Sequence, residues 1–447
     1  MKELTKNENI KDWYLKNFEL FEKQMNGHNH ELLKKMRETS LAKFSEFDFP
    51  TNKNEEWKYT DVSFARKNKF NPLPLERKTG YTIDEIKKFV FGGFDYNLIT
   101  FVNGRYSAEL SDISEDGDKI IIGNLNGFIE SHGEIAGNYL GKISSEDNLF
   151  NALNGVYMQD GVVVVLKENS ELSKPLQALF INGDPEENLL IAPRNLIVAG
   201  KNSRASVIFN YYGGSKESYF TDGITEIMLE EDSLIDVYKI QRENPSSYHI
   251  EKLQAIQKDG SVLNHYNLNF GGRLIRNDIN SKLDGENIET HYYGFYLGKE
   301  NQHIDNHTFV DHAKPNSMSN ELYKGILDDS ARGVFNGKII VRQDAQKTNA
   351  YQQNKTVLLS ADARVDAKPQ LEIFADDVKC THGATVGHLD EEAEFYIRSR
   401  GVPSDLAKSI LIRAFAADVI DEIKIVELKE QINHLIFEEL HRQEVSF

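Results

Sequence analysis

The chain of 447 residues contains one cysteine, Cys380, so it can form no internal disulfide and cannot build a zinc ribbon. Positive charge is also scarce: 52 Lys and Arg stand against 70 Asp and Glu, a formal net charge of −18. That field repels nucleic acid and anionic lipid, which excludes binding by phosphate neutralisation and points to protein partners or cations. No apolar run approaches the ~18 residues needed to span a bilayer. The start Met1-Lys2-Glu3-Leu4-Thr5-Lys6 has no apolar signal core behind its charges. These absences predict a cytoplasmic chain with neither a membrane nor a nucleic acid as partner.

Motifs for nucleotide and hydrolytic chemistry are missing too. No G-x-x-x-x-G-K-[ST] loop occurs, and Gly294-Phe295-Tyr296-Leu297-Gly298-Lys299-Glu300 lacks both the spacing and the hydroxyl needed to cradle phosphate and magnesium. G-x-G-x-x-G, G-x-S-x-G and H-E-x-x-H are likewise absent. ATP hydrolysis by this chain is therefore not expected.

What is present describes a folded protein, since 40% hydrophobic and 27% charged residues lie near globular averages. The texture changes twice along the chain. Residues 1–96 read as a helical region with a connecting segment: Trp13, Leu15, Phe18, Leu20 and Phe21, then Leu32, Leu33, Met36, Leu41 and Phe44, recur at three- and four-residue spacing. Asn29 is a candidate cap for the second helix, and Arg66 to Arg77, with Pro72 and Pro74, reads as an exposed connection.

Residues 97–390 carry short alternating strands such as Val162–Leu166, Ser206–Phe209 and Lys338–Val341, with one helical interruption from Glu146 to Tyr157. Small polar turns recur at Glu168-Asn169-Ser170, Lys201-Asn202-Ser203, Glu231-Asp232-Ser233, Lys258-Asp259-Gly260, Asp284-Gly285-Glu286, Asp328-Asp329-Ser330 and Ala361-Asp362-Ala363. Most gaps fall between 24 and 33 residues and one is near 45. This suits a parallel β-helix, each coil holding several short strands, better than a β-sandwich, whose turns should come every ~8–12 residues. Residues 391–447 return to helix, where Leu411, Phe415, Val419 and Ile423 fall at four-residue steps and a second row follows at Leu428, Ile432, Leu435 and Ile436. Two helices make a small body, so one face remains for a partner.

Two clusters could carry chemistry. On a strand, His303, Asp305 and His307 would share a face, either as a cation site or, the favoured reading, as a polar ladder on the outside of a β-helix. Cys380 and His382, two apart on an extended chain, would also share a face and are both good iron ligands. A lone buried cysteine is more often inert core. Iron–sulfur clusters usually take about four thiolates, so a chain with one cysteine could hold a cluster only with other ligands or a partner. Asp376 and Asp377 nearby would attract a cation or simply solvate a turn.

The run from Lys368 to Gly387, containing Ala375-Asp376-Asp377-Val378-Lys379-Cys380-Thr381-His382-Gly383-Ala384, closely resembles the signature of the SufB/SufD family. The likeness continues through Phe395–Gly401 and Ala414–Ala417, and back to Glu55–Thr60, Gln302–His312 and Arg332–Gly337. The start motif and the single cysteine are most similar to its SufD branch. The resemblance implies a right-handed parallel β-helix flanked by N-terminal and C-terminal helices. It further implies a non-enzymatic scaffold for iron–sulfur cluster assembly, working with a SufB-like paralogue and a SufC-like ABC ATPase, with a homodimer as the alternative when the chain is alone. The C-terminal helix bearing Leu411, Phe415, Val419 and Ile423 would contact the ATPase. A transient cluster would be shared with the paralogue through His382, with Cys380 ranked second, and no cofactor is expected in the isolated chain. The competing reading of the same solenoid is a polysaccharide-active enzyme, which would need a secreted chain.

Overall fold

The computed structural model describes residues 9–24, 31–72, 80–114, 117–184 and 186–441. Its body is a flattened parallel β-solenoid of about eight turns, flanked by N-terminal and C-terminal helices. Each coil gives one strand to each of two ten-stranded sheets. Most strands are nine or ten residues long, so a coil holds two long strands rather than several short ones. Successive coils pair in parallel and in register; Glu289–Gly298, for example, matches Met318–Leu327 residue for residue. Among the described residues, antiparallel strand pairs occur only at the N-terminal end, where Ile120–Asn124 lies on Val162–Leu166 and Arg105–Tyr106 folds back on Asn97–Val102.

The corner turns set the repeat. Asn169, Asn202, Asp232, Gly260, Asn287, Asn316 and Lys347 all have positive φ, and they recur every 27 to 33 residues. Asn, Asp and Gly tolerate this left-handed backbone best, which is why one short polar turn keeps returning. The turns stack as the strands do. The amides of Asn169, Asn202, Asp232 and Gly260 donate to Lys201, Glu231, Asp259 and Glu286 of the next coil at 2.8–2.9 Å. The hydroxyls of Ser170, Ser203, Ser233 and Ser261 each donate to the carbonyl three residues earlier, at 2.6 or 2.7 Å. Asp329, with positive φ, and Ala361-Asp362-Ala363 mark the opposite corner of the coil. The 45-residue gap arises there, where the sequence pattern jumps from one corner to the other and passes over the turn at Asn316.

Apolar side chains fill the solenoid with rows one coil apart, including the stacked pairs Phe101–Phe180 and Phe180–Tyr211, with ring centroids 5.0 and 4.7 Å apart. Glycine makes room where two rings would collide. A Cβ on Gly294 would lie 2.1 Å from the Tyr323 ring, and one on Gly325 would lie 2.1 Å from Tyr296.

The interior also holds charge. Lys239 Nζ lies 2.5 Å from Glu251, 2.9 Å from His249 Nε2 and 2.5 Å from Asn277, while His249 Nδ1 meets Glu243 at 2.7 Å. Burial pushes Glu251 toward its neutral form, but Lys239 and His249 outweigh it and hold the carboxyl well below its ordinary range. Glu321 has no such cation. Burial lifts its pKa to about 7, against hydrogen bonds from Thr308 and Gln352.

The N-terminal helices Ile10–Gln24 and Glu31–Glu46 pack on the helix Leu149–Tyr157, which starts at the cap Asn148 inside the interruption expected from Glu146 to Tyr157. Asn29 lies outside the described residues. A second helix in the solenoid region, Leu125–Tyr139, was not expected. Where it is described, the Arg66–Arg77 connection is exposed at Arg66 and Lys67 but half-buried or buried from Asn68 to Pro72. Phe70 is fully buried against Phe64 and Phe220, because those rings cover apolar positions on the outside of the solenoid; Pro74 and Arg77 lie outside the described residues. Among the described residues no helix is long and apolar enough to cross a membrane.

Two measurements check this interior. Gly294→Ala should cost about 1–3 kcal/mol in urea unfolding, because the Tyr323 ring has nowhere to move. Glu321 keeps its proton in the folded chain to higher pH than in the unfolded chain, so stability falls as pH rises from about 4.5 to about 7. Glu321→Gln should remove that fall and gain roughly 3 kcal/mol at neutral pH relative to acid.

Candidate functional site

The solenoid stops at residue 387, and its last coil has a neighbour on one side only. Strand Arg364–Ile373 pairs with Arg332–Val341 and strand Lys379–Gly387 pairs with Asn349–Leu358; among the described residues no further strand covers either. Side chains here are correspondingly exposed, with Ile373 at 41%, Phe374 at 63% and Val386 at 52%. Two unpaired strand edges beside apolar surface form a ready template for another chain.

Cys380 and His382 lie on the inward face of this coil, as two-residue alternation requires. His382 sits in register over Gln352 and continues an inner row that runs His265, Tyr292, Glu321, Gln352. The earlier members are buried, whereas His382 is exposed because no coil follows. Cys380 continues the row Ser319, Ala350 and is half-buried against the apolar core. Burial pushes the Cys380 thiol up, against a backbone hydrogen bond from Ala350, so the uncovered chain carries a thiol and not a thiolate at neutral pH. Asp376 and Asp377 are exposed in the turn before the strand, and the Asp377 amide donates to the Gln346 side-chain oxygen at 2.9 Å. Among the described residues no group of three or more His, Cys, Asp or Glu is placed to hold a metal ion. The mouth thus offers a thiol and an imidazole and lacks a complete ligand set.

The His303, Asp305 and His307 cluster does share an outer face, on strand His303–His312. The segment 55–60 covers it: the Thr60 hydroxyl lies 2.8 Å from His303 Nε2 and donates to Asp305 at 2.5 Å. Arg276 Nη1 meets Asp305 at 3.0 Å, so the carboxylate a metal would need already holds a cation. The trio forms part of the outer polar ladder, and its cover is what sequence reasoning missed.

At the C-terminus, the row proposed for an ATPase divides. Val419 and Ile423 are buried with Ile412, Ala416 and Ile420 against Tyr238, Tyr266 and Phe295 on the outside of one sheet, so these two cannot face a partner. The sheet presents that apolar column, and the helix Ser404–Ile420 must cover it. Leu411 and Phe415 are half-buried, and Lys324 stands 4.6 Å over the Phe415 ring while ion-pairing with Asp418. The apolar side chains left in solvent are others: Phe395 at 73% and Tyr396 at 59% on helix Glu391–Ser399, Leu406 and Ile410 on Ser404–Ile420, and Val426 at the start of Val426–His441. Four-residue periodicity marks an apolar face but not which body covers it.

Residues 180–415 match the SUF system FeS cluster assembly SufBD core domain, and residues 8–178 match the SufBD protein N-terminal region. An iron-sulfur cluster assembly SufBD family protein of Synechocystis is 29% identical, over 92% of each chain. The iron-sulfur cluster assembly protein SufD of Escherichia coli is 30% identical over 86% of this chain and 87% of its own length. SufD of Bacillus subtilis is 26% identical over 87% and 90%. Two domain models in their expected order, laid along a solenoid whose signature segment forms its open end, place this chain in the SufBD family of iron–sulfur cluster assembly proteins.

Proposed function

We propose that the chain is a non-catalytic scaffold subunit of the SufD type, whose open solenoid end is completed by a SufB-like paralogue. The observation that carries this reading is the uncovered last coil with Cys380 and His382 on its inward face. A second solenoid adding its own edge strands there would satisfy the free backbone groups and cover Phe374 and Val386. It would also bring further ligands to a mouth that supplies only two. A nascent iron–sulfur cluster is then cargo held between the two chains, with His382 as this chain's donor and Cys380 as its alternative. Deprotonating Cys380 requires a nearby cation, which an incoming iron ion supplies.

A SufC-like ABC ATPase would dock on the exposed apolar side chains of the two helices after the solenoid, Phe395, Tyr396, Leu406 and Ile410. Helix Ser404–Ile420 is fixed to the solenoid by its buried face and by Lys324, so movement imposed on it reaches the sheet that ends in Lys379–Gly387. The sequence carries no phosphate loop of its own, which fits a chain that receives work from an ATPase. A homodimer through the same end is the expected alternative when the paralogue is absent. The cytoplasm is the compartment this reading requires.

Anaerobic reconstitution of the chain co-expressed with its paralogue and ATPase tests the site. His382→Ala should lower bound iron and visible cluster absorption at least about fivefold while the complex still assembles. Full cluster retention would move the ligands to the partner. In pull-down titrations, Leu406→Asp with Ile410→Asp should weaken ATPase binding at least about tenfold and leave pairing with the paralogue intact.

A further inference from the structure

The segment 55–60 crosses the outer face of the last coils and is tied to three of their strands. Arg276 donates to the Glu56 carbonyl at 2.7 Å and its guanidinium stacks 3.9 Å from the Trp57 ring centroid. Thr60 reaches Asp305 and His303. Lys368, on the edge strand of the last coil, ion-pairs with Glu55. Beside this strap lies a groove of about 660 Å³ whose walls include Phe49, Pro50, Trp57, Asn280, Phe309 and Asn336.

His307 stands at the centre of these contacts. Its Nε2 meets Asp305 Oδ1 at 3.0 Å, and its Nδ1 faces Glu56 at 3.6 Å and Asp278 at 3.9 Å. Arg276 Nη2 lies 3.3 Å from Nδ1 and Asn336 Nδ2 3.4 Å. Three carboxylates thus surround one imidazole and one guanidinium, and Arg276 is already committed to Asp278 and Asp305. Among the described residues, His307 is the cation at ion-pair distance from the Glu56 carboxylate, with Arg276 and Lys368 acting on it from farther away. With His307 neutral, the Arg276 guanidinium alone would face the three carboxylates Glu56, Asp278 and Asp305.

We propose that segment 55–60 is a clasp on the terminal coils, closed while His307 carries its proton and loosened when it loses it. Loosening widens the groove and frees Lys368, and with it one edge strand of the open end.

Burial and Arg276 oppose the His307 cation, but Asp305 and Glu56 outweigh them, so its pKa lies above the ordinary 6.5. Glu56 is held below its ordinary 4.5, chiefly by the His307 imidazole beside it. A raised histidine stabilises fully below its unfolded pKa and loses that contribution as pH rises through the folded value, whereas the lowered glutamate loses its share as pH falls through its own. The clasp is therefore tightest between about pH 4.5 and about pH 6.5 and loosens on the alkaline side.

Trp57 reports the clasp directly. In the full-length chain carrying Trp13→Phe, which leaves Trp57 as the only tryptophan, acrylamide quenching should rise about threefold or more between about pH 6 and about pH 9. Glu56→Gln, at a side chain 70% exposed, removes one of the three carboxylates and should flatten the step, whereas His307→Gln should show high quenching at every pH. A flat wild-type profile, or the same step retained in both variants, would overturn the proposal.

Discussion

A parallel solenoid satisfies its backbone by passing every strand N–H and C=O to the coils above and below, so each coil depends on the presence of the next. The corner turns obey the same rule, since the left-handed Asn169, Asn202, Asp232, Gly260, Asn316 and Lys347 donate to the turns stacked on them. This constraint fixes the width of the coil, the register of the sheets and the alignment of inner and outer rows over the length of the body. It also fixes where the protein is incomplete. The first coils are closed by antiparallel strands, and the last coil is closed by nothing among the described residues.

Placing the inner rows in register has a chemical consequence. Polar residues that are costly inside an apolar core become tolerable where they find a partner one coil away, as Glu321 finds Gln352 and Lys239 finds Asn277. At the open end the same inner row delivers His382 to solvent. The buried polar column and the candidate ligand are successive members of one stack, and only the end of coiling turns a core position into a site.

Local backbone and side-chain period were legible in the sequence. The left-handed corners announce themselves as Asn, Asp or Gly with a following Ser, and Cys380 and His382 share a face because a strand alternates. Features set by distant contacts were not legible. The two corners of a coil use similar residues, so Asp329 could not be told from Asp232. Thr60 meets Asp305 across 245 residues, and nothing in either neighbourhood advertises the other. Val419 and Ile423 look like any free apolar face until the column of Tyr238, Tyr266 and Phe295 is placed beneath them. The helix Leu125–Tyr139 is weakened as a pattern by Gly127 and Gly137 and by its break at His132, where φ is −136°.

The central claim is that the open end, with its inward thiol, is where another solenoid is received. Because Cys380 is the sole cysteine, its alkylation by iodoacetamide reads that surface without interference from any other thiol of this chain. The account predicts that Cys380 labels slowly but measurably in the isolated chain and is protected at least about tenfold once the paralogue is bound. Equal labelling rates in the free and assembled chain would mean that the last coil stays uncovered, and would contradict it.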